Sequence, residues 1–151
     1  MNIPSSRKLA GGFVTLALGA CLTGPQNVAR LSGTLQLAAV DGLPLPFDAG
    51  RLPPPPGFPD APVCHILISR GTFSVVETSQ FVYAFRSLDS CSGREIGGGS
   101  REGTFSQTGS RINFVSAEAD GTNSNFRGTF DGRELRLTSD GYLLLFSTDQ
   151  H

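Results

Sequence analysis

Few side chains in this chain can do chemistry. There are three cysteines, Cys21, Cys64 and Cys91, and two histidines, His65 and His151. Several aspartates stand directly before glycine, among them Asp120, Asp131 and Asp140. Cys64 and His65 are adjacent, and thiol plus imidazole is the donor pair of zinc sites and activated nucleophiles. Neighbours on a strand point to opposite faces, however, so the two do not converge on one ion or one reacting atom. No metal-ligand spacing and no nucleophile elbow is present. His151 ends the chain, where residues are seldom tied down. Aspartates before glycine are explained by turn chemistry, because the carboxylate bonds the backbone two residues on. The glycine-rich stretch Ser92 to Ser100 lacks the Lys-Ser/Thr ending of a phosphate loop. The expectation is a non-enzymatic chain with no catalytic residue, no metal site and no cofactor.

The first twenty residues read as a targeting segment. Arg7 and Lys8 precede an uncharged, mostly apolar run from Leu9 to Ala20. That run is about 12 residues, whereas a spanning helix needs about 20, so it fits the apolar core of a signal peptide. It ends in Leu18-Gly19-Ala20-Cys21, which resembles the lipobox of bacterial lipoproteins: an aliphatic residue, two small residues, then cysteine. The resemblance implies cleavage between Ala20 and Cys21 and a diacylglyceryl group, palmitate-class in its chains, on the Cys21 thiol. Two or more acyl chains hold a protein stably to a membrane. Leu22 follows the cysteine where aspartate would retain the protein at the inner membrane. By the same resemblance the chain is exported to the cell envelope and anchored to the outer membrane, facing the periplasm.

Loss of residues 1–20 takes the formal charge from −1 to −3 and leaves arginine as the only strongly basic residue type. The arginines are scattered singly along the sequence. That excludes the clustered basic footprint of a nucleic-acid binder and a polybasic stretch for anionic lipid. In an oxidising compartment the even pair Cys64 and Cys91 is expected to form a disulfide, the competing state being two buried thiols.

The remaining organisation is a tether, residues 21–29, and one β-domain, residues 30–148. Apolar residues alternate from Leu31 to Ala39 before a turn at Asp41-Gly42. Leu43 to Phe47 carries two prolines and fits only an edge or irregular chain. Pro53 to Pro56 is a stiff loop. Val63–Val76 and a return strand bearing Phe81, Tyr83 and Phe85 form a predicted hairpin. If Val75 faces Phe81, Cys64 falls one place from Cys91, and a bulge near Arg70-Gly71 corrects the offset. Ser92–Ser100 reads as a flexible connection. The strands 101–107, 111–117, 125–130, 133–138 and 142–147 follow, joined by turns at Thr108-Gly109-Ser110 and Asp140-Gly141 and by a two-residue hairpin turn at Asp131-Gly132. The last strand is apolar on both faces, which fits either a strand covered on both sides or one that pairs with the first strand in a closed sheet.

The run Leu31 to Pro46, the Gly-Thr-Phe hairpins at 71–73, 103–105 and 128–130, and the closing apolar strand resemble small bacterial lipocalin-like domains. The resemblance implies an all-β, antiparallel up-and-down meander closing into a barrel of about eight strands. The chain lacks the Gly-x-Trp signature of true lipocalins, since it has no tryptophan. Phe73, Phe81, Tyr83, Phe85, Phe105, Phe114, Phe126 and Phe130 are expected to point inward, filling the barrel or lining a ligand. The expected role is a monomeric, non-catalytic binding module for a small hydrophobic ligand or an envelope protein. The first alternative is a structural or hydrolase-inhibiting lipoprotein using the loops at 51–59 and 92–100; the second is an enzyme with a site assembled from distant strands.

Overall fold

The computed structural model describes residues 28–118 and 120–148. The expected signal segment at residues 1–20, the expected lipid site Cys21 and His151 lie outside them. All regular structure in the described residues is strand: β1 Thr34–Val40, β2 Leu43–Pro44, β3 Phe47–Arg51, β4 His65–Glu77, β5 Gln80–Asp89, β6 Glu95–Thr108, β7 Arg111–Ala117, β8 Asn123–Phe130, β9 Glu134–Ser139 and β10 Tyr142–Ser147. The seven strands from β4 to β10 run as an antiparallel meander. β1 closes the ring, pairing antiparallel with β10 through Leu37–Phe146 and with β4 through Leu35–Phe73. The result is the expected eight-stranded barrel, with β2 and β3 as additions.

Those two short strands sit where the proline-bearing segment was expected, at the edges. At one end of the barrel β1 and β4 part; β2 continues on β1 and β3 on β4. They are joined through a cis Leu45–Pro46 bond. Phe47 packs edge-on against Tyr142, with ring centroids 5.8 Å apart. We call this end the mouth. The opposite end is closed by the chain leading into β1. There Leu31 is buried, its N–H donates to Gln107 Oε1 at 2.9 Å, and Gln107 Nε2 donates to the Ala29 carbonyl at 2.7 Å.

Period-2 alternation builds the core. Phe73, Phe81, Phe114 and Phe146 are essentially inaccessible, with Leu35, Ile112, Leu135 and Leu137 beside them. The Phe81 ring stacks on Phe73 at 5.5 Å and meets Phe114 edge-on at 5.2 Å; Phe114 stacks on Phe126 at 5.0 Å. Offset and edge-on geometries are those the ring quadrupole favours. Strand β6 approaches β7 so closely at Gly103 that a Cβ there would strike the Val115 carbonyl.

Two expectations are corrected. The stretch Ser92–Ser100 is not a flexible connection, because Glu95 onward is paired strand, with Gly98 opposite Arg86 and Gly99 opposite Phe85. The glycines make room for a neighbour: a Cβ on Gly99 would meet the Phe85 ring at 2.5 Å. The turn at Asp131-Gly132 is also longer than two residues. Asp131 Oδ1 accepts the N–H groups of Arg133 (2.9 Å) and Glu134 (2.8 Å), which holds the loop open until Leu135 pairs with Phe130.

The β4–β5 register explains the disulfide. Val75 faces Phe81 and Arg70 faces Arg86; a bulge at Ser69 then shifts the ladder, so that Ile66 faces Asp89. Two further residues along, Cys64 meets Cys91 with Cα atoms 5.4 Å apart, and the two are bonded. Replacing both by serine removes a crosslink over a sequence separation of 27. It is expected to cost about 3 kcal/mol by loop-closure entropy and to lower the melting temperature by about 10 °C. Calorimetry of the double variant showing an unchanged transition would contradict this.

Candidate functional site

The mouth collects inward-facing side chains from the ends of β4, β5, β6, β7, β9 and β10. On one side they are apolar. Ile66 and Ile68 of β4, Ala49 of β3, Phe85 of β5, and Tyr142 and Leu144 of β10 line a cavity of about 250 Å³. Its floor is Leu37, Tyr83 and Phe146, and Ser87, Ser139 and Asp140 contribute its few polar groups. The cavity exists because β1 and β4 diverge here and β3, an edge strand with a small residue at position 49, covers the gap.

The other side is polar and centres on Arg101. Strand β6 alternates inward at Gly99, Arg101, Gly103, Phe105 and Gln107, which carries the guanidinium into the barrel. Its side chain is 19% exposed. Arg101 Nη1 donates to Ser139 Oγ and Nη2 to Asp140 Oδ1, both at 3.3 Å. Nη2 also lies 3.3 Å from Glu118 Oε1, as an ion pair without the alignment of a hydrogen bond. The guanidinium carbon stands 6.0 Å over the Phe126 ring. Ser139 Oγ in turn contacts the Tyr83 hydroxyl at 3.0 Å and donates to Asp140 Oδ2 at 3.1 Å. Arg101 thereby ties β6 to the tops of β7 and β9, where β8 and β9 have ceased to pair. Burial pushes the Tyr83 phenol above its ordinary 10.0, while the Ser139 contact and the Arg101 charge pull it down. Near Gly103 and at the same level, Ser116 Oγ is buried with no hydrogen-bond partner.

The eight aromatic positions singled out by the sequence divide between core and cavity. Phe73, Phe81, Phe114, Phe126 and Phe130 are buried in the packed interior, and Phe105 packs against it near the closed end. Only Tyr83 and Phe85 reach the mouth cavity. Cys64 and Cys91 are joined, so their sulfurs are not available as ligands although Asp89 lies beside them. His65 Nδ1 approaches Asp48 Oδ2 at 2.7 Å, off the line of a good hydrogen bond, on the barrel's outer side of the same ladder.

The glycine-flanking carboxylates, and Asp89 beside the disulfide, hold turns. The Thr122 hydroxyl lowers Asp120 below the usual carboxylate range, the Glu134 N–H lowers Asp131, and the Cys91 N–H lowers Asp89. Asp140 differs, since it combines a turn position with the Arg101 ion pair. Arg101 itself is the residue that reasoning from the sequence missed. The signal was present: Arg101 shares parity with Phe105, so the alternation that turns Phe105 inward turns Arg101 inward too.

Replacing Arg101 by methionine keeps the side-chain volume but strands Glu118 and Asp140. A fully buried broken pair costs 3–5 kcal/mol; both carboxylates here are partly exposed, so about 1–2 kcal/mol is expected in denaturant unfolding. The same variant raises the Tyr83 pKa further in alkaline spectrophotometric titration. Because that pKa is raised on folding, its stabilising contribution is intact below pH 10.0 and is lost as pH rises through the folded value. An unmoved Tyr83 titration would separate the phenol from the guanidinium.

No protein-family model, no curated protein and no solved structure matches this chain.

Proposed function

We propose that the chain is an exported lipoprotein, cut before Cys21, lipidated there and held to an envelope membrane, the outer membrane by the Leu22 rule. Its barrel acts as a non-catalytic module that binds the apolar end of a small amphiphile. The observation that carries the binding role is the 250 Å³ apolar cavity in the barrel mouth, set beside polar groups. Pockets that enclose a drug-sized ligand run from about 300 to 1,000 Å³, so this one suits a single ring or a short alkyl segment with the rest of the ligand outside. The packed rings beneath it leave no room for a whole lipid. The disulfide suits an oxidising compartment. The described chain begins at the closed end, so an anchor at Cys21 leaves the mouth free for a ligand.

Two measurements test this. Mass spectrometry of protein from cells is expected to find a chain beginning at Cys21 with added diacylglyceryl mass; an unacylated chain still carrying residues 1–20 would end the anchor reading. Octyl glucoside, below its micelle concentration, is expected to shift the Ile66 and Ile68 methyl resonances. Ala49→Trp, which fills the cavity from an edge strand, should weaken that binding at least tenfold. Unperturbed methyls in the native protein would end the ligand reading.

One observation favours a second reading, a loop that blocks a hydrolase or docks on an envelope protein. Phe58 is 68% exposed at the tip of the proline loop. The loop is closed by Leu52 N–H to Cys64 O at 2.8 Å and stiffened by Phe58 N–H to Pro55 O at 3.0 Å. A rigid exposed aromatic is a typical interface anchor. On this reading Phe58→Ser weakens partner affinity at least tenfold with melting unchanged, and equal affinity would discard it.

A further inference from the structure

The arginines that lie apart in the sequence do not lie apart on the barrel. Arg111 of β7 is opposite Thr129 of β8, and Thr129 is opposite Arg136 of β9. Arg127 stands two residues along β8 from Thr129, on the same outer face. All three arginines are exposed. They form a triangle around one threonine, with Arg111 and Arg136 two strand spacings apart, roughly 10 Å. Arg136 pairs with Glu134 at 2.8 Å, but among the described residues neither Arg111 nor Arg127 has a carboxylate partner. Like charges this close repel one another, so an outer wall on which only Arg136 is paired keeps an excess of positive charge poised for an anion. The depression they share in the wall is shallow and mixed: the hydroxyl and amide side chains of Thr108, Ser110, Asn113, Thr129 and Thr138 line it together with the exposed apolar Val28 and Leu143, and Asp131 bears electrostatically on Arg136.

The first described residue, Val28, borders that same depression. Six residues, 22–27, lie between it and Cys21, so seven Cα–Cα steps join the two. Fully extended they span at most about 25 Å. Any lipid on Cys21 is therefore held within that distance of the arginine wall. We propose that the β7–β8–β9 wall, through Arg111, Arg127 and Arg136, docks on the phosphate groups of anionic lipid in the membrane that carries the anchor. This rests on the lipoprotein reading and adds an orientation to it: the barrel lies against the bilayer by one wall instead of swinging freely on its tether. Guanidinium groups suit this task because each offers forked donors to phosphate oxygens, and hydroxyl and amide neighbours add further donors.

The test uses the full lipidated protein on vesicles of phosphatidylcholine alone or with phosphatidylglycerol. A fluorophore is placed at Thr129→Cys, or at Val76→Cys on β4, diametrically across the barrel, and quenched with acrylamide. On phosphatidylglycerol vesicles the Thr129 label is expected to be shielded and the Val76 label open, with the shielding lost at high salt. On phosphatidylcholine both are expected to be open. Changing all three arginines to serine should abolish the shielding while the lipid still holds the protein to the vesicle. With Cys21→Ser, the same triple change should weaken residual binding to phosphatidylglycerol by up to about a hundredfold, at roughly fivefold per arginine near the surface. Equal quenching of the two labels on vesicles that retain the protein would overturn the docking and leave the anchor standing. Failure of the native protein to associate with either vesicle would remove the anchor and the proposal together. Stronger, arginine-dependent binding to a soluble acidic polysaccharide than to phosphatidylglycerol would overturn the lipid as partner.

Discussion

Closing eight strands into a ring leaves an interior only as wide as facing side chains can fill, and the rest of this molecule follows from how that width is used. Phe73, Phe81, Phe114, Phe126 and Phe146 fill it with rings in stacked and edge-on contact. A ring from one strand needs space taken from its neighbours, and glycine supplies it: Gly99 under Phe85, and Gly128, where a Cβ would stand 3.2 Å from the Phe114 ring. Part of the glycine content thus serves the phenylalanines, while most of the rest stands at turns with positive φ. Because the centre is full, an apolar cavity can persist only where the wall opens, and it opens where β1 and β4 diverge.

The fold was legible because alternation is local and forgiving. The pairing of Val75 with Phe81 and a single bulge were enough to bring Cys64 to Cys91, whereas the doubly apolar β10 allowed either cover on both faces or closure on β1, and closure is what occurs. What was not legible depended on the far side of the barrel. That Ser92–Ser100 is mostly strand follows from the Phe85 ring lying over Gly99, a contact between strands that composition reads as flexibility. The length of the Asp131 turn follows from one carboxylate accepting two N–H groups. The cavity was invisible because its lining comes from β1, β3, β4, β5, β9 and β10, and no one segment carries its pattern. Arg101 was readable by parity but looked like a strand's solvent-facing start.

The mouth and the wall also differ in electrostatic character, and this bears on what each can meet. At the mouth one guanidinium faces two carboxylates, Glu118 and Asp140, while Asp89 and Asp120 are held ionised by turn hydrogen bonds nearby. The net character there is anionic, and desolvation inside the barrel strengthens it relative to the exposed surface. A fatty-acid carboxylate presented to Arg101 would have to displace one of its present partners and sit beside the other. A neutral or cationic head beside Asp140, with its apolar end among Ile66, Ile68 and Leu144, meets no such conflict.

The same separation of charge decides how the barrel can rest on a membrane. An anionic surface attracts the arginine wall and repels the acidic rim. Both forces act within about a Debye length, 8–10 Å at physiological salt, and so operate only once a tether has already brought the domain close. On the lipoprotein reading, the six residues between Cys21 and Val28, joining on the cationic side, would supply that proximity. They would also make orientation nearly unimolecular, so that three arginines, too few to recruit a soluble protein, would suffice to choose which face an anchored one presents. The proline loop bearing Phe58 and the apolar cavity, which lie on the β3–β4 side across the barrel from β8, would then face away from the headgroups. A binding site for a small amphiphile or a protein partner would have to face in that direction to be reached from the aqueous side.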